Sequence, residues 1–230
     1  MFYDEQQAYN ACSEDPSLIF RLIKQGCYDV IDALADKNKI DVNLCDVVGN
    51  DVVTKLLKVK QYDLVLKLIK KRNWNVNHQN DEGATFAHVL ALDNSISTLG
   101  IISQLVKKKN FMPNIKNNNG ETALDKAVNN NYMLAAFKIL EDKRFNCIDI
   151  FTFRKLYNSY VKSSSYGKYS SFNNLNVILK NLEKKELVPS MEKLVFEIKK
   201  NLDSIKEDIM CNGFSVLDDI INSCMLQATV

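Results

Sequence analysis

The sequence predicts an all-α chain made of repeated helix-turn-helix units followed by further helices. Alternating period-2 stretches are scarce, and runs rich in Leu, Ile and Lys at helical spacing dominate. Glycines recur in similar surroundings at Gly49, Gly83 and Gly120, 34 and then 37 residues apart. A second marker keeps the same register: Asn43, Asn77 and Asn114 each stand six residues before a glycine, and Ile40, Trp74 and Phe111 stand three residues before each asparagine. Two markers in phase define a repeat of the length of one helical pair.

The first unit, near residues 13–46, opens 34 residues before Gly49 at Asp15-Pro16-Ser17-Leu18-Ile19. Its second helix is Gly26-Cys27-Tyr28-Asp29-Val30-Ile31-Asp32-Ala33-Leu34. The second unit, near 47–80, begins at Gly49-Asn50-Asp51-Val52-Val53 and has its second helix at Gln61–Ile69. Val30, Ile31 and Leu34, then Leu64, Val65, Leu68 and Ile69, form one apolar stripe per second helix. One helical pair cannot bury such a stripe alone, so neighbours must stack. The third unit, near 81–117, carries Gly83-Ala84-Thr85-Phe86-Ala87-His88, and its extra three residues are expected as a loop over Asp93–Gly100. The fourth, near 118–150, carries Gly120-Glu121-Thr122-Ala123-Leu124-Asp125 and a second helix over Asn131–Leu140. The glycines suit turns with positive φ, and Thr85 and Thr122 stand at helix N-cap positions. By register Trp74 belongs to the core.

Beyond about residue 150 the register fails. Asp149–Tyr157 reads as a degenerate fifth unit, Ser163–Ser171 as a polar loop, and helices are expected near 174–186, 190–210 and 214–227. Pro189 suits a helix start, and Asn212-Gly213 a helix stop. The 151–230 extension is expected to cap the array, because terminal units need cover.

The segments Thr85-Phe86-Ala87-His88-Val89-Leu90-Ala91 and Gly120-Glu121-Thr122-Ala123-Leu124-Asp125-Lys126-Ala127 resemble the G-x-T-P-L-H-x-A-A signature of the ankyrin-repeat family. Residues 10 to 150 carry the resemblance. It implies an ankyrin-repeat solenoid of four to five units with a C-terminal helical cap, in which His88 is a structural hydrogen-bonding residue. It also implies a module that binds another protein on a concave face of fingers and first helices. Carried over position by position, the contacts are Val47, Val48, Asn50 and Lys55 in the second unit. In the third they are Asp81, Glu82, Ala84, Val89, Leu92 and Asp93. In the fourth they are Asn118, Asn119, Glu121, Lys126, Asn129 and Asn130. Adjacent valines at a turn tip are unusual in water: either Val47 and Val48 anchor a partner, or one of them packs on a neighbouring turn. The divergent repeats on an Asn- and Lys-rich background resemble those of large DNA viruses and intracellular bacteria, which implies a host protein as partner. Leu187-Val188-Pro189-Ser190-Met191-Glu192 resembles, with different spacing, the L-P-x-E core of segments that recruit a ubiquitin ligase, so an adaptor is the alternative reading.

Bulk properties narrow the classes. The hydrophobic fraction of 46% supports a continuous core, and 7 Gly with 3 Pro argue against a linker-rich chain. With 30 basic and 28 acidic residues the net charge is +2, too balanced for a chain whose main partner is nucleic acid. No apolar run reaches the roughly 18 residues of a membrane span, and the start Met1-Phe2-Tyr3-Asp4-Glu5 is no secretory signal; the expectation is a cytoplasmic protein without a membrane partner. The six cysteines form no C-x-x-C pair and fit no zinc spacing, so no metal or cofactor is expected. The histidines are His78 and His88. Cys45 and His78 could approach across adjacent fingers, but no catalytic motif surrounds them and no enzyme is expected. Lys70-Lys71-Arg72 and Lys107-Lys108-Lys109 end successive second helices, either as favourable charges at the helix C-termini or as a basic ridge. The oligomeric state stays open.

Overall fold

A computed structural model describes residues 5–93, 95–142, 144–145, 148–162, 168–182, 187, 189–211 and 213–228. Asn94, Cys147, Ser163–Gly167, Val188 and Asn212, each part of an expectation above, lie outside the described residues. The described chain is all-α. It has 14 α-helices, no strand, and two isolated antiparallel bridge pairs. No described helix is long and apolar enough to cross a membrane.

The chain divides into two compact units, Met1–Ala123 and Leu124–Val230. The division falls inside the expected fourth unit rather than at residue 150.

In the first unit the helices are α1 (Glu5–Glu14), α2 (Leu18–Gln25), α3 (Tyr28–Asp36), α4 (Val52–Lys58), α5 (Tyr62–Leu68), α6 (Phe86–Leu90) and α7 (Ile96–Leu105). The first helices α2, α4 and α6 pack in sequence, as do the second helices α3, α5 and α7. Each helix buries its apolar stripe toward these neighbours: Leu18, Ile19, Leu22 and Ile23 on α2, Val52, Val53, Leu56 and Leu57 on α4, Ile101, Ile102 and Leu105 on α7. Trp74 is buried, edge-on to Phe86 at 5.0 Å between ring centroids. Gly26, at φ 74°, ends α2 in a left-handed cap.

Two features depart from expectation. Helix α1 lies ahead of the first repeat and packs on α2 and α3. The expected loop over Asp93–Gly100 is mostly helix: Ser95 accepts from Ser97 N–H at 3.2 Å and starts α7.

The second unit holds α8 (Ala123–Asn129, starting at the boundary residue), α9 (Met133–Leu140), α10 (Ile150–Leu156), a π-helical turn (Tyr157–Lys162), α11 (Lys168–Leu182), α12 (Pro189–Lys200), α13 (Leu202–Met210) and α14 (Ser215–Ala228). Helix α8 is tied to α10, since Thr152 Oγ1 donates to Asp125 Oδ1 at 2.6 Å and Lys155 Nζ donates to Asn129 Oδ1. Those bonds place α8 in this unit. Asp149 caps α10 through Thr152 N–H at 2.7 Å. The expected single helix over 190–210 is two helices. At the break the Asn201 N–H is shared between the Glu197 and Ile198 carbonyls, each at 3.2 Å, and its Nδ2 donates to the Glu197 carbonyl at 2.9 Å, so the side chain competes for an acceptor of the helical ladder. Pro189 is the first residue of α12, as its missing N–H favours. Tyr157 is buried, and burial followed by the Asp218 carboxylate pushes its phenol pKa far up.

Candidate functional site

Three hairpin turns in the first unit share one hydrogen-bond plan. Gly49 N–H donates to the Asp46 carbonyl at 3.0 Å, Gly83 N–H to Asn80 at 2.8 Å, and Gly120 N–H to Asn117 at 2.9 Å. Each turn is closed by a reciprocal bond, from Asp46, Asn80 and Asn117 N–H to the carbonyls of Asn50, Ala84 and Glu121. The side chain of the same leading residue fills the turn. Asp46 Oδ1 accepts from Val48 and Asn50 N–H, Asn80 Oδ1 from Glu82 and Ala84 N–H, and Asn117 Oδ1 from Asn119 and Glu121 N–H, at 2.9–3.2 Å. A short side chain with an acceptor oxygen is what this geometry needs. Sequence reasoning missed these three residues. The signal was available: Asp or Asn stands three residues before each marker glycine.

The turns are joined to one another. Asp81 N–H donates to the Val48 carbonyl at 3.3 Å, and Asn118 N–H to the Glu82 carbonyl at 3.0 Å. Gly49, Gly83 and Gly120 have φ of 74°, 69° and 75°, where side chains with a Cβ are strained. At two of them space is short as well. A Cβ on Gly49 would lie 3.0 Å from Asp81 N, and one on Gly83 would lie 2.8 Å from Asn118 N. At Gly120 a Cβ would meet nothing within 4 Å.

The asparagine marker bridges one connection to the next. Asn43 Nδ2 donates to the Asn73 carbonyl at 2.8 Å while its Oδ1 accepts from Asn75 N–H at 2.7 Å. Asn77 repeats this with the Asn110 carbonyl at 2.6 Å and Met112 N–H at 2.9 Å. A carboxamide offers both a donor and an acceptor in one plane, which no other small side chain does.

His88 is buried between two turns. Thr85 N–H donates to its Nδ1 at 3.1 Å, the Thr85 hydroxyl lies 2.8 Å from the same nitrogen, and Nε2 lies 2.9 Å from the Glu121 carbonyl. A carbonyl only accepts, so Nε2 carries a proton and Nδ1 is the acceptor. The ring is thereby a structural bolt rather than a base.

Neither a protein-family model nor a curated protein matches the chain.

Cys45 and His78 do come together, Sγ to Nε2 at 3.3 Å. The contact gives no activated thiol. His78 Nε2 lies 2.7 Å from the Gly49 carbonyl, so it carries a proton and cannot take one from sulfur. Burial, followed by the charges of Asp51, Asp46, Asp41 and Asp81, raises the Cys45 pKa, and a neutral thiol is a poor nucleophile. Among the described residues no group of three or more His, Cys, Asp or Glu could hold a metal ion.

The expected contact residues separate into exposed and committed. Val47 is 99% exposed and Val48 49%. Asp81, Glu82, Asn118 and Asn119 are exposed on the two following turns. Leu92 is exposed and Val89 half-buried on and after α6. Asn50 is a correction. It is 2% exposed, with its Oδ1 accepting from Lys58 Nζ and Asn80 Nδ2. Ala84 is likewise buried, because its N–H and carbonyl close the Asn80 turn. Lys55 is paired with Asp46 at 2.8 Å. Asp93 is held by the Tyr62 hydroxyl at 2.7 Å and by Ser95 N–H. Glu121 is half-buried, with Oε2 accepting from Asn117. In the second unit Lys126 is half-buried, Asn129 is bonded to Lys155, and Asn130 is exposed while donating to the Lys126 carbonyl.

The basic clusters do not form two full rows. Lys71 Nζ is buried with no hydrogen-bond partner among the described residues, and burial lowers its pKa. Lys108 is also lowered by burial, and its Nζ lies 5.4 Å over the Trp74 ring. Lys70, Arg72, Lys107 and Lys109 are the exposed members. Elsewhere a groove of about 460 Å³ runs between α3 and α5, but its Lys67 is engaged by Asp32 and Asp36, each at 2.6 Å.

Proposed function

We propose that the chain is a non-enzymatic protein-binding module of the ankyrin-repeat type. It takes its partner on the turn tips and the exposed side of the first helices. One observation carries the reading. The tip side chains Val47, Val48, Asp81, Glu82, Asn118 and Asn119 are exposed, while the groups beneath them are bonded to one another. A rigid base with exposed, mixed side chains suits recognition. A thiol whose pKa is raised and ring nitrogens committed to carbonyls do not suit catalysis. Affinity capture with the full chain tests the reading. Val47→Asp/Val48→Asp is expected to lose the partner at an unchanged melting temperature, and retention of the partner would sink the proposal.

A second reading, an adaptor that recruits a ubiquitin ligase or signalling machinery through its C-terminal helices, is favoured by Phe196 on α12 and Leu226 on α14, 63% and 72% exposed. Phe196→Asp/Leu226→Asp is expected to separate the two. Loss of the captured partner with this variant alone supports the adaptor. A host protein in the host cytoplasm or nucleus is the partner class that the Asn- and Lys-rich background suggests.

A further inference from the structure

The ladder of turns has an unfilled position at its leading end. Asp81 and Asn118 occupy the same place in their turns, two residues before the glycine, and each donates its N–H to the carbonyl of the preceding turn. Val47 holds that place in the Asp46–Asn50 turn. Ahead of it the chain has no hairpin: Asp15 N–H bonds the Ala11 carbonyl and continues α1, and Leu18 N–H turns back to Asp15 at the start of α2. Among the described residues the Val47 N–H therefore meets no acceptor, where its two counterparts do.

The surroundings of this donor are also distinct. The counterpart positions carry the polar pairs Asp81-Glu82 and Asn118-Asn119, while the leading turn carries Val47-Val48, with Val47 99% exposed. An open backbone donor beside exposed β-branched side chains is the chemistry by which an extended strand adds to an edge. The nearby charge is acidic. Asp41, Asp81 and Glu82 are exposed, and Asp41, Asp46, Asp51 and Asp81 all act on the Cys45 thiol at the base of the turn. Of the cations close by, Lys55 is neutralised by Asp46 and Lys58 donates to the uncharged Asn50 Oδ1, each at 2.8 Å, so Asp41, Asp81 and Glu82 outnumber the one remaining positive charge, Lys58.

We infer that the leading edge of the Asp46–Asn50 turn docks an extended peptide segment of the partner, one that alternates apolar and basic residues. A backbone carbonyl of that segment accepts the Val47 N–H, its apolar side chains cover Val47 and Val48, and its basic side chains meet the acidic surface of Asp41 and, reaching over the tip, of Asp81 and Glu82 on the following turn. A second copy of this chain is a poorer occupant, because the turns it could offer carry Asp81 and Glu82 and would set like charges together. The inference rests on the fingertip reading and names its partner chemistry.

The test is a titration of the ¹⁵N-labelled full chain with the pentapeptide acetyl-Lys-Val-Lys-Val-Lys-amide, beside its anionic counterpart acetyl-Glu-Val-Glu-Val-Glu-amide. The cationic peptide is expected to shift the Val47 amide resonance and slow its hydrogen exchange, and the anionic peptide is expected to do neither. Val47→Pro removes the donor at a turn position that favours proline, and is expected to weaken binding about tenfold, the equivalent of one lost hydrogen bond. Protection of the Val47 amide in the unmodified chain stands as evidence even if that variant folds poorly. Shifts at the Glu82 or Asn119 amides without Val47 overturn the edge and leave the fingertip reading intact. Absence of any cationic-selective change at Val47 overturns the inference, and so does protection of Val47 that appears with protein concentration alone.

Discussion

The two units are both helical, yet they are held by different means. In the first, three turns repeat the same polar plan, and each bond in it selects a residue type: Gly at positive φ, Asp or Asn to fill the turn, Asn to bridge connections. In the second, cohesion comes from apolar packing among α10, α11, α12, α13 and α14, with Phe153, Leu156, Leu175, Leu194 and Ile198 buried. Hydrogen bonds have direction and partner count, whereas dispersion and burial depend on size and shape. The comparison teaches that polar turns constrain sequence more tightly than helical cores.

Substitutions can break or sharpen that contrast. The largest effect is expected at Gly83→Val, which combines a strained φ with overlap against the Asn118 backbone, at about 3 kcal/mol or more. Gly120→Val has a similar positive φ but open space, and is expected to cost about 1–2 kcal/mol. Urea denaturation of the two variants measures the gap, and equal losses would mean the turns are not packed as described. Next comes Trp74→Phe. The Trp74 indole donates to Asp51 Oδ2 at 2.9 Å, and Asp51 also caps α4 through Thr54 N–H at 2.6 Å. Removing the indole leaves a buried carboxylate short of a donor, at about 1–3 kcal/mol. Asn77→Ala loses both arms of its bridge and is expected to cost about 1–2 kcal/mol. In the second unit Leu194→Met should cost less than about 1.5 kcal/mol despite full burial, since volume is kept. A larger loss there than at Asn77 would reverse the comparison.

One prediction separates the turns from each other. Burial alone would raise the Asp46 carboxyl, but the Lys55 ammonium and the N–H groups of Asn50 and Val48 outweigh it and hold its pKa below the ordinary value. A depressed folded-state pKa stabilises the fold above the unfolded-state value of about 3.9 and loses that contribution as pH falls through the lower, folded value. The melting temperature of the parent chain is therefore expected to exceed that of Asp46→Asn at neutral pH, with the difference vanishing in acid. Asn80 and Asn117 fill the other turns and do not titrate, so Asn80→Ala should destabilise equally at both pH values. A difference between parent and Asp46→Asn that persists in acid would sink the assignment.

The same logic explains what could be read from the sequence. The Gly and Asn markers were legible, and so was Trp74 as core, because their bonds or their burial repeat in register. The burial of Asn50 was not, since Asn at a turn tip is ordinarily solvated and only the Lys58 and Asn80 partners draw it inward. Helix α1 was missed because it lies before the first register mark. The split of α12 from α13 at Asn201 is marked by a bifurcated backbone bond and a side-chain bond, which helical periodicity does not carry.

The turn at Asn117–Gly120 has a consequence on a slower clock. Asn119-Gly120 is the dipeptide most prone to deamidation, in which the glycine nitrogen attacks the preceding side-chain amide and asparagine is the thermolabile partner. Here that nitrogen is held by the Asn117 carbonyl at 2.9 Å. The bond that shapes the turn thus also slows its chemical ageing, and isoaspartate at position 119 should accumulate faster in urea than in the folded chain.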